Sequence, residues 1–420
     1  MSGSAGQLNG QMGSRFAGRR QATGRAVGLL RRSGSMQQAT FVELFFDLAV
    51  VFAFDRVVAG SLPGFLNEDP AQRWSNAGRT VLLLIAVMYL WTTTAYLTGR
   101  FEPHRPGTQV MLLLSTFAMM IMGTAVPGAF AGEGLVFAVV FVTVRVARPA
   151  VISLGLRSHR LRRLYWRVTA WLCLAGVFWV GGGVAVGAAQ LVWWAVAAVV
   201  DLGSARLGWP APGLGRHRNT IWQLAGHHLV DRNQQLLMIA LGESILAVGI
   251  SYSTHSHDLY KTAGLVIAFA TTTLLWRVYF QKAGELLPKA LDAAGDPAGW
   301  GRRVAFAHAL MVLGIVTTAI GHEIVQHSHT QVTHPSWRAT ILGGPALFLV
   351  GRARLEHLVF ARVSRRRIVG IALVAAAAPL MGRVSPLATA TTAAAVLLLI
   401  ALLDWRNAAG KPPEVPSPPG

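Results

Sequence analysis

The sequence predicts an all-α integral membrane protein with about twelve transmembrane helices. Three observations carry that expectation. Hydrophobic residues make up 53% of the 420-residue chain and charged residues only 13%, with a mean hydropathy of +0.46. A soluble domain carries about 25% charged residues. The apolar residues gather into segments of roughly 16–22 residues, the length that crosses a bilayer. The cations fall in the short stretches between those segments. This distribution gives the net charge of +20 its meaning: basic residues spread over inter-span loops mark topology, not a nucleic-acid groove, so no nucleic-acid partner is expected.

Taken in order, the segments lie near 41–59, 79–98, 108–127, 133–154, 165–183, 187–204, 232–252, 261–280, 303–324, 337–355, 366–382 and 385–404. Residues 1–40 are Gly, Ser, Gln and Arg without an apolar core. They read as a disordered basic cytoplasmic tail, not a cleavable signal peptide. Residues 41–204 hold the first six spans and 232–404 the second six. Between them, 205–231 form a cytoplasmic connector, and the Pro-rich 405–420 form a second cytoplasmic tail. Gly or Pro must turn the chain sharply near 181–190 and 382–386. With the N-terminus inside, thirty of the 38 Lys and Arg fall on the inner side and six outside: Arg56, Arg73, Arg79, Lys261, Arg338 and Arg383. That asymmetry places both termini in the cytoplasm. Only four of the 38 cations are Lys, a bias that suggests a GC-rich bacterial genome, and hence the bacterial plasma membrane. Cys173 is the only cysteine, which leaves no disulfide framework and no thiolate metal site.

An even span count invites a search for two six-helix halves. FFDLAVVFAF in the first span aligns with LGESILAVGI in the seventh, matching Asp47 to Glu243. LWTTTAY in the second resembles LLWRVY in the eighth, and AMMIMGTAV in the third resembles GIVTTAIGH in the ninth. FVTVRVAR in the fourth, with Arg145 and Arg148, resembles FLVGRAR in the tenth, with Arg352 and Arg354. Four matches in one order point to parallel repeats related by a pseudo-twofold axis along the membrane normal.

The ionisable residues inside these spans are the candidate site, because a charge near hydrocarbon is costly and by default functional. Glu43 and Asp47 lie one helical turn apart in VELFFDLAVVFAF. Glu43 falls in the first turn at the inner surface, where a helix N-terminus favours an acid and it need be no more than a cap. In HHLVDRNQQLLMIALGES, His228, Asp231 and Arg232 share one face, and Glu243 returns to it three turns on, followed by Ser244. That stripe is either a proton or ion relay or a set of structural pairs gluing helices together. Arg145 is deep enough to be a counter-ion for these acids. Arg148 and Arg277 are expected to snorkel to the inner headgroups. The ninth span adds His308, His322 and Glu323. His322–Glu323 with His327 misses the zinc-protease helix motif by one residue. The outer histidines His255, His257, His322, His327, His329 and His334 either bind a metal or titrate singly; no resident metal or cofactor is expected. No P-loop, dinucleotide fingerprint or nucleophile elbow is present.

Together these motifs resemble the bacterial low temperature requirement protein A family. The resemblance rests on VELFFDLAVVFAF and HLVDRNQQLLMIALGES. It extends through LLWRVYF, HALMVLGIVTTAIGHEIV and LGGPALFLVG, covering residues 38–355 and more faintly to 404. Carried over by motif are Glu43, Asp47, His228, Asp231, Arg232, Gly242, Glu243, Ser244, His308, Gly321 and Glu323. Asp231 departs from the family's usual Glu. The resemblance implies a polytopic membrane protein linked to growth in the cold, without a defined activity.

The residues favour a transporter or channel-like permease, with Asp47 and Glu243 binding a small cation, a proton or a polar solute, and His228, Asp231 and Arg232 as gate or relay. A membrane-embedded enzyme on lipid or isoprenoid substrates would use His308, His322 and Glu323 as acid–base groups. A sensor or scaffold of membrane state is the third reading; no soluble signalling domain accompanies it.

Overall fold

The computed structural model describes residues 26–31, 39–213, 215–217, 221–254, 258–328, 330, 332–409 and 414–419. Most of the N-terminal tail lies outside the described residues, as do His255, His257, His329 and the start of the Pro-rich tail. Among the described residues the regular structure is helical. In chain order the helices are α1 Phe41–Leu66, α2 Pro70–Arg100, α3 Pro106–Ala125, α4 Gly134–Gly155, α5 Leu161–Val184, α6 Gly187–Leu207 and α7 Ile221–Ser253. There follow α8 Leu259–Tyr279, the short α9 Leu287–Asp292, α10 Pro297–His327, α11 Pro335–Phe360, α12 Arg365–Leu380 and α13 Pro386–Ala408. Each of the twelve apolar segments coincides with one long helix, overrunning it by two residues at most.

Nine helices among the described residues, α2 to α8 with α10 and α13, are long and apolar enough to cross a membrane. At 16 residues, α12 is short for that role. The helices show many apolar residues outward, among them Leu48, Val177, Val199, Phe269 and Leu398. Outward Leu, Val and Phe at this density suit hydrocarbon, not water.

Local sequence sets the helix starts. Pro70, Pro106, Pro297, Pro335 and Pro386 stand in the first turns of their helices, where a missing N–H costs nothing. Asp69, Asp258 and Ser385 cap α2, α8 and α13 by accepting from backbone N–H groups. Gly208, at φ +75°, ends α6 in the left-handed conformation that glycine adopts freely. Ala225, at φ −136° and ψ 36°, kinks α7 near its start.

Packing follows one order in each half. In the first, α1 lies on α2 and α3, α3 on α4, α4 on α5, α5 on α6, and α6 returns to α2. In the second, α7 lies on α8 and α10, α10 on α11, α11 on α12, α12 on α13, and α13 returns to α8. The halves meet where α1 touches α7 and α10. The tightest seam is α10 on α11. A Cβ on Gly314 would come 2.5 Å from the Phe348 backbone nitrogen, and one on Gly344 would come 2.6 Å from that of Thr318. Such small residues let membrane helices approach backbone to backbone.

Candidate functional site

The α1–α7 contact carries a closed polar centre. Glu43 sits in the first turn of α1 and completes a capping box with Thr40, whose backbone N–H and hydroxyl both donate to Oε2 at 2.9 Å. It is nonetheless fully buried and does not meet water at the inner surface as its position suggested. Its Oε1 lies 3.1 Å from His228 Nε2 and 3.8 Å from Arg232 Nε. One turn further, Asp47 takes two bonds from Arg232, Nη1 to Oδ2 at 2.6 Å and Nη2 to Oδ1 at 2.8 Å. Trp91 Nε1 of α2 adds a third at 3.2 Å. Arg232 also donates to Gln235 and lies over the Trp91 ring. Two acids, one arginine and one histidine, all buried, thus bind α1, α2 and α7 together. Fork-on-carboxylate geometry makes this a strong and specific clasp. Asp231 makes none of these bonds and is half-buried.

Arg145 was expected to serve Asp47 or Glu243, and it serves neither. It pairs in fork fashion with Asp201 of α6, at 2.6 and 2.8 Å, between the rings of Tyr89 and Phe141. Trp179 also donates to Asp201. In the second half Asp404 of α13 pairs with two arginines of α12, Arg367 at 2.5 Å and Arg366 at 3.1 Å. Arg352, aligned with Arg145, donates to the carbonyls of Val278 and Gln281 and lies 3.8 Å from Glu356. Arg148 does not snorkel. It is buried and donates to the hydroxyls of Thr94, Thr93 and Ser115 at 2.7, 2.8 and 3.3 Å. Arg277 is exposed, as snorkelling requires.

Glu243 stands apart. It is 0% exposed, and neither carboxylate oxygen has a hydrogen-bond partner among the described residues. The charged groups acting on it are both acids, Asp55 of α1 and Glu323 of α10. Asp55 is held by its neighbour Arg56. Glu323 leans on the Ser251 hydroxyl of α7 and keeps Oε1 unbonded; His322 Nδ1 and Gln326 Oε1 beside it are unbonded too. Because Asp47 meets Arg232 and Asp55 acts on Glu243, α1 and α7 run in the same direction, and the acids form a second level further along both helices. An unpaired carboxyl in such surroundings either carries a proton or holds a bound counter-ion.

The remaining predicted residues are satisfied. Thr272 spends its proton on the Ala268 carbonyl, so Ser244 donates to Thr272 at 3.2 Å and joins α7 to α8. His308 Nδ1 donates to the Val304 carbonyl at 2.9 Å and Nε2 accepts from Tyr279 at 2.7 Å, a fully bonded core histidine. His334 stacks edge-on against Trp337. No three His, Cys, Asp or Glu side chains among the described residues are grouped closely enough to hold a metal ion. Sequence reasoning missed Trp91, Asp55, Asp201 and Asp404; their signal was a polar residue within an apolar helix, without a motif around it.

A helical bundle with apolar flanks and ion pairs buried between its helices defines a polytopic membrane protein. The chain belongs to the bacterial low temperature requirement A (LtrA) family, whose sequence profile matches residues 38–402. It is similar to an uncharacterized protein of Rhizobium meliloti (strain 1021), 28% identical over 386 residues that cover 90% of this chain and 91% of that one. No solved structure matches the chain.

Proposed function

We propose that this protein is a transporter or channel-like permease of the bacterial plasma membrane, with Glu243 as the group that binds and releases a small cation or a proton. The carrying observation is the contrast between two buried carboxylates at different levels of the α1–α7 contact. Asp47 has three donors, one of them a fork; Glu243 has none. A buried acid without a partner is the arrangement that ion and proton pathways use. In this reading twelve helices cross the bilayer with both termini inside. The repeated packing order supports descent from a duplicated six-helix unit. The Glu43–His228–Asp47–Arg232 centre holds the halves together on the inner side of Glu243. The family's link to cold growth then reflects ion or solute balance across the membrane.

Purified protein in proteoliposomes tests the reading with dyes for proton, sodium and potassium flux. Wild type should carry one of these ions, and Glu243→Gln should abolish the flux while eluting and melting as folded protein. Equal flux in Glu243→Gln and wild type would remove Glu243 from the pathway.

A further inference from the structure

The first half contains a basic chamber that the permease reading does not use. A cavity of about 720 Å³ is lined by Arg31, Arg100, Arg160, Arg167, His159 and His217, with no acid on its wall among the described residues. It lies between the C-terminal end of α2, the N-terminal end of α5, the segment around Arg31, the loop that precedes α7 and the first turn of α7. These are stretches the charge asymmetry assigns to the inner membrane face. A second cavity of about 130 Å³ adjoins it, sharing Arg100 and Leu164. Its wall is mostly apolar, including Ile152, Tyr165, Val168 and Leu172, and it ends on Arg145 and Arg148.

Two of the cations bordering this space, Arg100 and Arg148, have no acid beside them among the described residues. Arg145 is neutralised by Asp201. Arg148 is buried with hydroxyls only, and Arg145 is the charged group acting on it. Arg100, half-buried at the junction, has no carboxylate partner among the described residues. The nearby Glu102 faces His104. A buried guanidinium without an anion is unfavourable, and a basic pocket between helices on the cytoplasmic side suits an anionic headgroup. The apolar recess behind the junction suits the start of a hydrocarbon chain.

We propose that this pair of cavities binds an anionic phospholipid of the inner leaflet. The phosphate sits among Arg31, Arg100, Arg160 and Arg167, and the glycerol end of one chain enters the recess toward Arg148. Commitment to a lipid follows from the joined polar and apolar compartments; a soluble phosphate compound would leave the recess empty.

The test uses the full chain in nanodiscs and in detergent. Native mass spectrometry counts retained phosphatidylglycerol against phosphatidylcholine. Wild type should prefer phosphatidylglycerol, and each arginine removed should weaken that preference roughly fivefold. The variants are Arg100→Gln, Arg148→Gln and the Arg100→Gln/Arg160→Gln pair. Arg362→Gln, an exposed arginine paired with Glu414 in the other half, is the control for charge alone. Should Arg148→Gln fail to fold, the half-buried Arg100 and exposed Arg160 still carry the test. No preference in wild type, or equal loss in Arg362→Gln, overturns the proposal. Full displacement of phosphatidylglycerol by glycerol 3-phosphate or inorganic phosphate also overturns it, in favour of a soluble occupant.

Discussion

Replacing Arg232 with Met removes one cation and strands two buried acids. Asp47 loses both arms of the fork and keeps Trp91; Glu43 keeps His228, Thr98 and its cap to Thr40. Breaking a buried pair by removing one partner costs about 3–5 kcal/mol, because the other charge remains without compensation. With two acids affected, Arg232→Met should fall at the upper end of that range. Asp47→Asn is milder. Its amide oxygen still accepts from Arg232, and the guanidinium charge is still offset by Glu43 at 3.8 Å. The loss is then that of a weakened hydrogen bond, about 1–2 kcal/mol. The double variant should cost less than the two singles together, with a coupling of about 1–3 kcal/mol. Unfolding in detergent, followed by tryptophan fluorescence with Trp91 inside the centre, measures all three. The reasoning fails if Arg232→Met is no more harmful than Asp47→Asn, or if the double variant equals the sum.

Other outcomes follow from the same geometry. Arg145→Met strands Asp201 and should destabilise by about 3–5 kcal/mol, with much of the loss recovered in Arg145→Met/Asp201→Leu, read in the same melts. Gly314→Ala puts a methyl 2.5 Å from the Phe348 nitrogen and should cost about 1–3 kcal/mol as α10 and α11 separate, whereas Gly343→Ala, which meets nothing within 4 Å, should be neutral. Tyr279→Phe leaves His308 Nε2 unbonded and should cost about 1–3 kcal/mol by denaturant titration. Burial first, and nearby arginines second, hold His159 and His217 below the ordinary histidine range. The stability they contribute is therefore present above about pH 6.5 and lost as the pH falls toward their folded values. Melting curves from pH 8 to 5 should decline less steeply in the His159→Gln/His217→Gln variant than in wild type.

The helices were legible because apolar runs of bilayer length are a strong signal, and Pro, Asp and Ser mark their starts. Glu43 was legible as a cap because it falls in the first turn, where a helix N-terminus favours an acid. Its burial was not, since that depends on α7 arriving from 185 residues away to bring His228 and Arg232 against α1. The helical stripe from Arg232 to Glu243 was read as one unit, either a relay or a set of structural pairs, yet three turns separate two different environments: Arg232 bonds Asp47, whereas Glu243 has no hydrogen-bond partner among the described residues. Spacing along a helix says which residues share a face and nothing about what the neighbouring helix presents there. Asp201 escaped notice because it stands near a span end, where an acid usually meets water. Arg148 looked able to snorkel because its partners are Thr and Ser, residues that inside membrane helices ordinarily bond their own backbone.

The division of labour between Asp47 and Glu243 is open to a direct chemical measurement. Dicyclohexylcarbodiimide partitions into bilayers and modifies carboxyls that carry an exchangeable proton, and peptide mapping by mass spectrometry locates the adduct. The account predicts modification at Glu243, protection of that site by the transported cation or by alkaline pH, and no adduct at Asp47 while Arg232 holds it. An adduct at Asp47 with Glu243 untouched would contradict it.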